Sequence, residues 1–377
     1  MTTSARAGTG APTAVLSRPA APRLRALGPN WYAAVMGTAI VAAAGTALPV
    51  QPPRAVLEGI WTLAAAALLV LLVARAGHWL LHADRARDQL LDPAEAPAVA
   101  PFYGCLAMAL LAVGGGALAL DVPGAVGIDA VLWAAGTAVG LVASVAVPYL
   151  MITRHELRPG SAGPVWLLPV VAPMVSAALG PPLAAHLPAG QPRQTMLLGS
   201  FALFGMSMLA TLVILPLVFA RLVHHGPLPV PMTPVLFLVL GPLGQSTTAL
   251  GNLADAEPGS FGALAVLYGV PVLGFALLWL ALSTALVVRA TRHGMGFSLT
   301  WWAFTFPVGT CVTGAAAVWR HTGAEVFGWL AVALYALLVA AWATAAVRTV
   351  AGLLSGALLP APQRAPAGPV PTRARTR

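Results

Sequence analysis

The sequence predicts an all-α, polytopic membrane protein whose ten transmembrane helices form five consecutive helical hairpins. Three observations carry this. Only 8% of the residues are charged, 59% are hydrophobic, and the mean hydropathy is +0.84; a soluble chain carries about 25% charged residues. Ten apolar stretches follow one another, each long enough to cross a hydrocarbon layer of about 30 Å. The arginines between them alternate in abundance from loop to loop, as the loops of a membrane protein do.

The spans are expected at Trp31–Leu48, Ala55–Arg75, Pro101–Leu120, Asp129–Thr153, Pro164–Ala185, Gln194–Val223, Met232–Leu250, Phe261–Arg289, Phe297–Trp319 and Ala324–Arg348. Residues 1–27 and 351–377, rich in Pro and Arg, are expected as disordered tails around a membrane domain at 28–350. All 20 basic residues are Arg. Seventeen fall on one side of the ten-span arrangement, and only Arg54, Arg193 and Arg320 fall on the other. The positive-inside rule then puts both termini in the cytoplasm; the expected location is the plasma (inner) membrane. The net charge of +9 is no sign of nucleic-acid binding, because the arginines lie in short loops and tails with no basic face to offer a duplex. Cys105 and Cys311, both inside apolar spans, give neither a disulfide framework nor a zinc spacing.

The odd spans begin near 31, 101, 164, 232 and 297, at separations of 70, 63, 68 and 65 residues, so the hairpin is an architectural repeat. Every odd span holds Gly or Pro in its interior: Gly37; Gly114–Gly116; Pro169 and Pro173; Gly241, Pro242 and Gly244; Pro307 and Gly309. The even spans are smoother runs of Leu, Val and Ala. Irregular backbone at membrane depth is tolerated against protein or a water-filled cavity. The alternation therefore predicts an inner pore ring of odd helices and an outer ring of even ones. For any single glycine, close helix packing is the better explanation; it is the alternation across all five hairpins that favours the pore.

No Asp, Glu, Arg or His falls in the middle of an expected span; Glu58, Asp129 and Glu325 lie in first turns. Ion-coupled carriers keep an intramembrane ionisable group, and a membrane enzyme needs an acid or base beside its substrate. The expectation is accordingly no enzyme, no metal and no cofactor. What remains for a substrate is a lining of neutral dipoles. Gly241, Gln245, Thr248 and Asn252 form one stripe at helical spacing, and Gly37, Thr38, Pro173, Ser176, Pro307, Gly309, Thr310 and Thr313 are further pore-lining candidates. Gln245 also reads as one end of an interhelical hydrogen bond. A donor-bearing neutral pore with a positive cytoplasmic rim suits an anion.

In the ninth span Ala303, Phe306, Gly309, Thr310 and Thr313 share a helical face, small or weakly polar but for one ring. Phe306 lies roughly 14 Å from Phe297 along a helix, near the bilayer midplane. It is the candidate pore gate.

Four stretches resemble the tellurite-resistance/dicarboxylate transporter family: GPNWYAAVMGTAIVAAAG at Gly28–Gly45, WLLPVVAPMVSAALG at Trp166–Gly180, LGPLGQS at Leu240–Ser246 and WWAFTFPVGT at Trp301–Thr310. The family includes the slow-type anion channels of plant guard cells, bacterial tellurite-resistance protein A, the fungal malate permease and the fungal sulfite efflux pump. The resemblance covers about residues 28–350. It implies ten spans in five hairpins, a central pore from the odd spans, a homotrimer of separate pores, and a gating Phe that carries over to Phe306. The short tails here lack the phosphorylation apparatus of the plant channels.

The expectation is therefore channel-like, passive transport of small anions or organic acids (chloride, nitrate, sulfite, malate or another C4-dicarboxylate) through a Phe-gated neutral pore. A proton-coupled dicarboxylate or sulfite efflux carrier on the same fold is the alternative. The partners are those anions and membrane lipid, with no nucleic acid.

Overall fold

Inside a bilayer every backbone N–H and C=O must find its partner within the protein, so uninterrupted apolar sequence closes into helix. The computed structural model describes residues 24–358, and among these there is no strand. Ten long helices are labelled here in chain order. They are α1 (Tyr32–Thr46), α2 (Arg54–Leu81), α3 (Tyr103–Ala119), α4 (Ala125–Thr153), α5 (Leu167–Ala184), α6 (Gln191–His225), α7 (Leu240–Ala256), α8 (Pro258–Arg292), α9 (Phe306–Thr322) and α10 (Glu325–Leu354). Nine helical segments are long and apolar enough to cross a membrane among the described residues; the segment that holds α1 is not one of them.

Each odd helix starts with a 3₁₀ segment: Pro29–Trp31, Ala100–Phe102, Pro164–Trp166, Val230–Val239 and Leu299–Phe304. Proline explains much of this. Pro29, Pro101 and Pro164 supply fixed φ at helix starts where the missing N–H has no acceptor to serve. Pro231 and Pro234 withdraw donors from the Val230–Val239 segment. The seventh and ninth spans, expected as single kinked helices, are thus each a 3₁₀ half followed by an α half. Pro307 lies in the first turn of α9, so it removes no helical hydrogen bond. Gly114–Gly116 do not interrupt α3.

Odd and even helices differ sharply in burial. Between 67% and 100% of the most apolar window is buried in the segments ending in α3, α5, α7 and α9, against 17% to 22% in the even helices. The odd helices contact one another in cyclic order: α1 with α3, α3 with α5, α5 with α7, α7 with α9, and α9 with α1. Each even helix rests against two neighbouring odd ones. Leu, Val, Ile and aromatic side chains stand exposed along α2, α4, α6, α8 and α10, the dress of a lipid-facing surface.

Both ends of the membrane domain reach further than expected. Leu27 is buried, and its carbonyl accepts from Arg75 Nη1 (2.9 Å) and Gln89 Nε2 (3.1 Å). Arg75 also donates to Gln89 Oε1 and to the Tyr103 hydroxyl, so a buried guanidinium pins Leu27 to α2 and α3. At the other end α10 runs to Leu354, four residues into the stretch expected as tail. The rest of the expected tails, residues 1–23 and 359–377, lies outside the described residues.

Candidate functional site

The space between the odd helices divides in two. On the side where Arg320 lies, a cavity of about 290 Å³ is lined by all five of them, with Ile40 and Thr46 from α1, Gly115 from α3, Leu179 from α5, and Thr313 and Arg320 from α9. Gln245, Thr248 and Asn252 come from α7, at i, i+3 and i+7, which is one helix face. Thr248 Oγ1 and Thr313 Oγ1 are 2.7 Å apart and join the walls. Asn252 Nδ2 donates to the Ala178 carbonyl (2.8 Å), and Arg320 Nη2 reaches Asn252 Oδ1 (3.3 Å) and Asp255 Oδ2 (2.9 Å). Gln245 is 4% exposed, and its Oε1 has no protein partner.

Toward the 3₁₀ segments the space closes. Phe306, 2% exposed, meets Met36, Met108, Leu167, Leu168 and Val171 around a void of about 10 Å³ that Gly241 and Pro307 also line. A void of that size holds at most one water. The ring is the first residue of α9, just after Thr305 (φ −97°, ψ −79°), where 3₁₀ winding ends. The helical face expected to run from Ala303 to Thr313 is therefore not continuous. Ala303 belongs to the 3₁₀ half, and 3.6-residue spacing does not carry across the junction.

Other expected lining residues are placed elsewhere. Thr38 turns outward: its hydroxyl donates to the Ala34 carbonyl (2.7 Å) and accepts from Trp342 Nε1 (3.1 Å). Ser176 Oγ accepts from Thr137 of α4 (2.9 Å). Thr310 is fully buried between α7 and α9, donating to the Pro307 carbonyl (2.7 Å). Gly37 and Gly309 are packing sites, where a Cβ would collide with Thr305 and Ile40. Pro173 is buried within α5 and lines neither space. A hydroxyl on an apolar helix needs an acceptor or donor, and the even helices supply one for Thr38 and Ser176.

The expected wholly neutral lining also needs correction. His186, Arg320 and Asp129 line the cavity. Asp129 comes from an even helix. The sequence pattern sets it at the start of the fourth span, but Gly124, with φ at 77°, starts α4 earlier and sets Asp129 one turn inside. Gly114 of α3 makes the opening, because a Cβ there would lie 2.7 Å from Asp129 Oδ1.

Comparison with known proteins identifies the family. A family model described as voltage-dependent anion channel, SLAC1, matches residues 26–350. The chain belongs to the SLAC1 family. It is 26% identical to an uncharacterised transporter of Methanocaldococcus jannaschii, over 87% of this chain and 94% of that protein. It is also 26% identical to the sulfite efflux pump SSU1 of Trichophyton rubrum, over 79% of this chain and 83% of that one, and 26% identical to SSU1 of Arthroderma otae, over 83% of this chain and 87% of that one. As a SLAC1-family member this is a multi-pass membrane protein with a transport role toward anions.

Proposed function

We propose that the protein conducts small anions passively across the plasma membrane, through the space enclosed by α1, α3, α5, α7 and α9, with Phe306 as the gate. The observation that carries this is the pairing of a polar cavity with an apolar plug along one enclosed line. Gln245, Thr248, Asn252 and Thr313 offer dipoles that can replace part of an anion's hydration, and the ring at Phe306 shuts the route beyond them. Weak coordination by these dipoles favours passage over retention. The ten-crossing arrangement with both termini cytoplasmic follows from the arginine asymmetry, and a homotrimer of separate pores from the family resemblance. Chloride, nitrate, sulfite and C4-dicarboxylates are the candidate substrates; the similarity to sulfite efflux pumps puts sulfite first in the panel.

The test is current recording after reconstitution into planar bilayers. Phe306→Ala is expected to raise anion current at least tenfold over wild type, with an ohmic, non-saturating response. An unchanged current in folded, inserted Phe306→Ala protein removes the gate. Saturating flux accompanied by stoichiometric proton movement in that variant replaces the channel by a carrier.

A further inference from the structure

Asp129 is 0% exposed, lines the polar cavity, and neither carboxylate oxygen has a hydrogen-bond partner in the protein. Gln245 Oε1, in the same cavity, is likewise unpartnered. Buried carboxylates are ordinarily paired or fully hydrogen-bonded. This one is held at the edge of an anion's route by a gap that only glycine at 114 leaves open. Resting on the transport reading above, we propose that Asp129 is the proton-binding group of the permeation path, and that an anion occupies the cavity together with a proton on Asp129.

The argument is one of charge. An ionised Asp129 and an anion roughly 5 Å apart, at an effective dielectric near 20, repel enough to lower occupancy by a factor of roughly a few hundred. The protonated carboxyl removes that repulsion and adds an O–H donor to the lining that Gln245 and Thr248 share. Binding of anion and proton is thereby mutually reinforcing, and the coupling is reciprocal.

Apart from His186, which lines the same cavity, the surrounding groups do not substitute for that proton. Asp129 makes no salt bridge within 4.0 Å among the described residues. On α3 the titratable side chains, Tyr103 and Cys105, start that helix some nine to eleven residues before Gly114, and Asp121 follows it. The other titratable residue of α4, Tyr149, is twenty residues further on, and α5 has none. The loop after α5 brings His186 to the cavity, and α9 brings Arg320, which is bound to Asp255. Beyond α3, Arg54 is engaged with Glu58 and the Leu120 carbonyl.

The probe is nitrate, whose own charge does not change across the pH range used. In proteoliposomes, nitrate flux through wild type and through Phe306→Ala is expected to rise as pH falls on the Arg320 side, by up to roughly tenfold per unit. Asp129→Asn is expected to abolish that dependence and hold flux at its low-pH level. Calorimetry of nitrate binding to purified wild type, in buffers of different ionisation enthalpy, should register uptake of a proton; this needs no variant to fold. A wild-type titration without proton uptake, or an Asp129→Asn profile that keeps the wild-type pH dependence while current flows, overturns the role of Asp129 alone. No nitrate flux in either wild type or Phe306→Ala overturns the transport reading and this inference with it.

Discussion

At Gly244 the backbones of α7 and α9 are in close contact, and replacing it with alanine tests the packing beside Phe306. A Cβ at this position would lie 2.5 Å from the Cys311 amide nitrogen and 2.5 Å from the Thr310 carbonyl carbon. Ordinary contact begins at 3.4 Å, so the backbones must separate by 3.4 − 2.5 = 0.9 Å. No rotamer change relieves the clash, since the atoms struck are main chain. The Thr310 hydroxyl, 3.3 Å from the Leu240 carbonyl and 3.4 Å from that of Gly241, would lose both. Overpacking of this kind costs about 1–3 kcal/mol. Gly199, on the lipid side of α6 with nothing within 4 Å of its would-be Cβ, is the control. There alanine removes helix-opposing backbone freedom and should stabilise by about 0.5–1 kcal/mol. Thermal unfolding of both variants in detergent gives the answer. Equal melting temperatures for Gly244→Ala and Gly199→Ala would refute the reasoning, and with it the claim that the α7–α9 crossing is set by backbone contact.

Two further substitutions separate cavity from scaffold. Gln245→Leu deletes a cavity dipole whose Oε1 supports no protein hydrogen bond, so anion flux should fall several-fold while the melting temperature stays within a degree or two of wild type. Thr38→Val should do the reverse: it breaks the hydrogen bond from Trp342 and costs about 1 kcal/mol of stability, while ion selectivity in a bi-ionic reversal-potential measurement stays unchanged.

The hairpin repeat and the contrast between odd and even helices were legible because burial governs composition. Helices surrounded by others must be small and can be irregular, whereas helices against lipid need only be greasy. Side-chain direction was less legible. Gln245, Thr248 and Thr313 reach the cavity, but Thr38 and Ser176 look the same in sequence and turn toward α10 and α4, because Trp342 and Thr137 sit there to meet them. The ninth span misled through its winding: a face drawn at 3.6 residues per turn is false over residues wound at three. Asp129 was hidden by an error of four residues in a helix start. The combination that could have exposed it is Gly124, a helix-starting glycine, with the glycine run at 114–116 opposite.

The coil ahead of Phe306 has a mechanical consequence. Six residues, Leu299–Phe304, are wound as 3₁₀. Rewound as α they would shorten by about 3 Å and turn everything downstream by about a third of a revolution, each residue trading 2.0 Å and 120° for 1.5 Å and 100°. That stroke is comparable to the width of a phenyl group and leaves the main chain helical throughout. On the gating role proposed for Phe306, its ring is mounted on a spring rather than a hinge.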